Sequence, residues 1–157
     1  MTMMTTRHGR AIGAALGNPQ PDPTTLPGII RGADVLVQFG DLETQFGIQV
    51  EPLAVFERQR GSSHILTIFT HEADAERYLL ILGRTGIVPE PWDDGHSRYT
   101  WPDGVELDDP KLNVRWRADD GMHEMSSSVL HERKNLCLAA WARDVPIEEL
   151  LARAARN

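Results

Sequence analysis

With 157 residues and a formal net charge of −7, the chain is sized for one domain, able to bury roughly 70% of the surface its unfolded form exposes. No apolar run is long enough to cross a bilayer, and the Thr- and Met-rich start lacks the apolar stretch of a secretion signal. The single cysteine, Cys137, excludes an internal disulfide, so the expectation is a cytoplasmic protein with no membrane partner.

Residues 1–32 read as an N-terminal arm. Arg10 to Leu16 fits a short helix stopped by Gly17-Asn18-Pro19, and the run from Pro19 to Gly28 reads as an extended connector. Each proline there lacks an N–H and fixes φ, which rules out a helix interior or a central strand. Residues 33–157 read as one α+β domain. Val35 to Phe39, Phe46 to Val50, Leu53 to Arg58 and His64 to Phe69 are strand candidates separated by turn signals at Gly40-Asp41, Pro52 and Gly61-Ser62-Ser63. That spacing predicts an antiparallel meander.

The period then changes from 2 to 3.6. Thr70 is placed to cap a helix whose first turn holds Glu72 and Asp74 and which Gly83 stops. Ala75, Tyr78, Leu79 and Leu82 recur at i, i+3, i+4 and i+7, an apolar face expected to pack on the sheet. Residues 86–111, with Pro89, Pro91, Pro102 and Pro110, read as irregular. Leu112, Val114 and Trp116 alternate with Asn113, Arg115 and Arg117 as in a half-buried strand. Asp119-Asp120-Gly121 turns into a weaker strand around His123 to Ser126.

The chain ends in two helices. Leu136, Cys137, Ala140 and Trp141 gather on one side of the first; Ile147, Leu150, Leu151 and Ala154 stripe the second, which begins at Pro146. The fold class is therefore α+β: a single domain, mainly antiparallel sheet, packed by an internal helix and two C-terminal helices.

Catalytic patterns fail one by one. His71-Glu72-Ala73-Asp74, Asp93-Asp94-Gly95-His96, His123-Glu124 and His131-Glu132 put histidines beside acids, but Ser127 and Asn135 stand where zincin spacing after Glu124 and Glu132 requires a second histidine. Cys137 lies between Leu136 and Leu138, the setting of a buried, inert thiol. Ser126-Ser127-Ser128 lacks the glycine-flanked elbow that exposes a nucleophile, and Gly83-Arg84-Thr85-Gly86 follows a helix where a phosphate cradle precedes one. The expectation is a protein that is not an enzyme, with no cofactor and no metal.

Charge, by contrast, is concentrated. From Pro89 to Asp109 there are seven acids and one base, Arg98, a balance of 1 − 7 = −6 within a total of −7. Nucleic acid needs clustered Lys and Arg and is not an expected partner; a basic protein surface is. The same stretch holds Trp92, Tyr99 and Trp101, side chains that bury large areas with few rotatable bonds. Trp92, Asp93, Asp94, Tyr99, Trp101 and Asp103 are accordingly the candidate partner-binding residues. The competing reading is that the aromatic residues tuck into the protein's own core.

The order of Val35-Leu36-Val37-Gln38-Phe39-Gly40, Leu66-Thr67-Ile68-Phe69 and Ala73-Asp74-Ala75-Glu76-Arg77-Tyr78-Leu79-Leu80-Ile81-Leu82-Gly83-Arg84, followed by an Ala/Trp helix and Val145-Pro146-Ile147-Glu148-Glu149-Leu150-Leu151, resembles the actinobacterial immunity proteins grouped with the immunity factor for tuberculosis necrotizing toxin. The likeness covers about two thirds of the chain, and the Pro-rich stretch departs from it. It implies a cytoplasmic antitoxin, a monomer that binds one cognate toxin domain and occludes its active site, which in the named case hydrolyses NAD. The other classes left open are an acidic secretion chaperone or accessory binding protein, and a small hydrolase.

Overall fold

The computed structural model describes residues 5–16, 34–40, 43–60, 62–90, 99–108 and 111–156. Among these residues the alternating runs form β1 (Asp34–Gly40), β2 (Thr44–Val50), β3 (Ala54–Gln59) and β4 (Ser62–Phe69), an antiparallel meander as the turn spacing implied. Helix α2 (Glu72–Gly83) follows, and then β5 (Val105–Asp108), β6 (Asn113–Ala118) and β7 (Gly121–Ser126) make a second meander. Strand β7 returns beside β4, with Ile68 opposite Ser126 and Phe69 opposite Met125, which joins all seven strands in the order β1-β2-β3-β4-β7-β6-β5.

Period-2 alternation puts Val37, Phe39, Ile48, Val55, Val114, Trp116 and Met125 into one core with the helices. Phe39 stacks on its cross-strand neighbour Phe46, ring centroids 5.6 Å apart. Helix α2 packs on β2, β3 and β4, the short α1 (Gly9–Ala15) packs on β1, and α3 (Arg133–Trp141) and α4 (Ile147–Arg156) pack on α2. Helix α2 is thus enclosed from several sides. Ala75, Tyr78, Leu79 and Leu80 are fully buried, and each large apolar side chain so placed contributes roughly 1.5–3 kcal/mol. Enclosure also buries more than the apolar stripe: Asp74 and Glu76 are inside, while Leu82 stays half-buried.

Several expectations need correction. Thr70 does not cap α2; His71 occupies the N-cap position without a side-chain cap. The Thr70 hydroxyl is taken by a cross-strand contact, accepting the Glu124 N–H at 3.0 Å. The stretch read as irregular contains β5, whose Val105 and Leu107 face Trp116 and Val114 of β6. Trp141 does not share the burial of Leu136, Cys137 and Ala140: its side chain lies at the surface with the indole N–H on the Thr100 carbonyl, although Ala142 just beyond it is buried again. The connector Pro19 to Gly28 lies outside the described residues.

Candidate partner-binding surface

The stretch that carries Tyr99, Trp101 and Asp103 is built against the end of α3. The Trp141 indole N–H donates to the Thr100 carbonyl at 2.7 Å, and the Cys137 thiol reaches the same oxygen at 3.5 Å. Arg143 Nη2 donates to the Asp103 carbonyl at 3.0 Å. The Val105 N–H then bonds back to the Pro102 carbonyl at 3.3 Å, closing a turn in which Gly104 takes φ 83°, a conformation glycine adopts without a Cβ penalty. That turn leads into β5, which pairs antiparallel with β6.

Of the six candidate residues, the structure places three. Trp101 is half-buried and packs on the core, Tyr99 is half-buried, and Asp103 is exposed. Trp92, Asp93 and Asp94 lie outside the described residues. The exposed aromatic ring of this surface is one the sequence assigned elsewhere: Trp141 is 43% exposed, with its indole N–H held on Thr100. A helix-end position on the apolar stripe, two residues before Arg143-Asp144, is the signal that marks it.

The charge is less one-sided than its count along the chain. Glu90 pairs with Lys134 of α3 at 2.5 Å and Glu106 with Arg115 of β6 at 3.3 Å. Exposed pairs of this kind are worth at most about 1 kcal/mol, but they neutralise two of the acids. Asp103 and Asp108 are exposed and form no ion pair among the described residues. The neighbouring Cys137 offers no nucleophile: burial pushes its thiol up to about 12, against a small opposing pull from Trp141.

A second exposed apolar feature is formed by other elements. Strand β4 and the chain after β7 diverge beyond their short pairing and leave a groove of about 670 Å³, lined by Ile65, Ile68, Lys111, Ser128 and Leu130. Ile68 is 41% and Leu130 67% exposed.

No protein-family model matches the sequence, and no curated protein matches it significantly. Among solved structures the fold is similar to that of Rv3902c from M. tuberculosis, with 11% sequence identity, a TM-score of 0.59, and coverage of 95% of this chain and 87% of the other. At that identity the likeness shows a shared architecture across nearly the whole chain.

Proposed function

We propose that the chain is a binding protein of the immunity class, which neutralises a secreted toxin domain by covering its active-site cleft. The observation that carries the reading is Trp141, a large aromatic side chain 43% exposed and hydrogen-bonded into place near the exposed Asp103. A pre-positioned aromatic anchor flanked by acids suits capture of a basic partner surface. The sequence resemblance supplies the class of partner; the likeness to a solved structure supports the architecture alone. In this reading the chain acts by occlusion and does no chemistry. It works in the cytoplasm as a monomer holding one toxin domain, and an NAD-hydrolysing cleft, whose rim must tolerate phosphate, meets Asp103 and Asp108 together with Trp92, Asp93, Asp94, Tyr99 and Trp101.

The test is copurification with the toxin domain encoded by the neighbouring reading frame, with toxin activity measured in the complex. Trp141→Ala is expected to speed dissociation about thirtyfold, the loss of about 2 kcal/mol that a hot spot carries. Asp103→Asn with Asp108→Asn is expected to slow association and flatten its salt dependence. A complex that leaves toxin activity untouched would identify a chaperone instead. If both variants bind as the parent does while Leu130→Asp abolishes binding, the partner sits in the β4–β7 groove and the acidic surface is not the interface.

A further inference from the structure

Four side chains that lie about fifty residues apart in sequence converge where α2 begins. His71 and Asp74 come from the start of α2; Asp120 and His123 come from the β6–β7 hairpin, whose two-residue tip is Asp119-Asp120. The His71 and His123 rings stack with centroids 3.5 Å apart and planes 6° from parallel. His123 rests on Trp116 on the core side, at 5.4 Å.

Each ring has one nitrogen already held. His123 Nδ1 lies 2.6 Å from Asp74 Oδ2, and Asp74, 3% exposed, is held in turn by Arg77 Nη1 at 3.1 Å. His71 Nδ1 lies 2.8 Å from the Thr70 hydroxyl, which the Glu124 N–H fixes. Both remaining nitrogens meet the same carboxylate: His123 Nε2 is 2.6 Å from Asp120 Oδ1, and His71 Nε2 is 3.7 Å from Asp120 Oδ2. This is the arrangement a metal centre requires, in which outer partners fix the tautomer and orientation of the ligating imidazoles.

We propose that His71, Asp120 and His123 form a binding site for a divalent cation of the zinc class, which clips the β6–β7 hairpin to the start of α2. One ligand atom from each of the three residues lies within 4.8 Å of the others. An ion with bonds of about 2.1 Å sets tetrahedral ligands about 3.4 Å apart, so on binding the His123 Nε2–Asp120 contact opens from 2.6 Å while the wider pairs, all within 4.8 Å, draw in. Because the rings are nearly parallel, their Nε2 lone pairs run side by side, and a shared ion requires one ring to tilt. His71 has the room: its side chain is 29% exposed against 10% for His123, and Asp120 is 62% exposed. Two imidazoles with one carboxylate select zinc and its borderline neighbours over magnesium or calcium, which take all-oxygen sites. A fourth position stays open to water.

The experiment is calorimetric titration of tag-free, chelator-treated protein with zinc, alongside thermal unfolding with and without zinc. One equivalent should bind and raise the unfolding temperature. His71→Ala, at a half-buried position, and Asp120→Asn, at an exposed one, should each weaken uptake at least tenfold and remove the thermal shift, with the fold checked by circular dichroism. Asp74→Asn should weaken it about 10–100-fold through the orientation of His123. His64→Ala and His131→Ala, exposed histidines elsewhere, should change nothing. The proposal is overturned if the parent takes up no stoichiometric zinc, if the His71→Ala and Asp120→Asn variants bind as the parent does, or if excess magnesium displaces the zinc.

Discussion

Tyr78 and Glu132 offer a test of how this core tolerates charge. Tyr78 is fully buried and Glu132 is 4% exposed, and the phenol donates to Glu132 Oε1. Burial, with Glu132 beside it, pushes the Tyr78 hydroxyl well above its ordinary value, so it stays a donor at any working pH. The other donor to that oxygen, Asn135 Nδ2, is long at 3.3 Å. Tyr78→Phe keeps the ring and its edge-on contact with Phe69, 5.4 Å between centroids, but leaves a buried carboxylate poorly satisfied. A hydrogen bond to a charged group is worth about 1.5–3 kcal/mol, and orphaning the partner adds to the loss. The expected destabilisation is about 2–3 kcal/mol, or roughly 5–10 °C in a domain of this length. Urea unfolding measures it as a lower midpoint at unchanged slope. The double variant Tyr78→Phe with Glu132→Leu removes both polar partners and should be more stable than the sum of the two single losses predicts, by at least about 1 kcal/mol. A loss under about 0.5 kcal/mol for Tyr78→Phe, or strict additivity in the cycle, would refute the reasoning.

The first of three further predictions concerns pH. His8 has its Nδ1 3.1 Å from Glu76 and its Nε2 3.1 Å from Glu148; burial pulls its imidazole down, but the hydrogen bonds and charges of the two glutamates outweigh it and raise it above 6.5. A raised value in the folded state means that the stabilisation is fully present below 6.5 and is lost as pH rises through the folded value. His8→Ala should therefore cost more stability near pH 6 than near pH 9, and an equal cost at both, measured by urea unfolding, would show that His8 is not held by charge. Gly47→Ala should destabilise by about 2 kcal/mol or more, since a Cβ there would lie 2.2 Å from the Val37 carbonyl oxygen and 2.8 Å from the Phe56 ring; near-wild-type stability would refute the clash. Cys137, fully buried with its thiol pushed up to about 12, should resist alkylation in the folded protein and react only on unfolding, so rapid labelling of native protein would overturn its assignment as an inert core residue.

The order of β1 to β4, the helix from Glu72 to Gly83, and the terminal helix with Ile147, Leu150 and Ala154 buried were legible in the sequence, because strand and helix periods are written between near neighbours in the chain. Strand β5 was legible in principle through Val105 and Leu107, but four residues between Pro102 and Pro110 form a strand only when β6 supplies the hydrogen bonds. The same holds for Trp141: its stripe position is local, while its exposure depends on how the chain at Thr100 meets the end of α3. Asp74 was legible as an acid in the first turn of a helix, but nothing local marked it or Glu76 for burial. The fold buries both and answers them with His123 and Arg77, and with His8, which come from other elements or the far side of the turn. The closing of the sheet by β7 against β4 and the meeting of His71 with Asp120 and His123 were decided by tertiary structure alone. Periodicity tells each segment which face to bury; which buried faces meet depends on packing between segments far apart in the chain, and that is where the candidate sites of this protein arise.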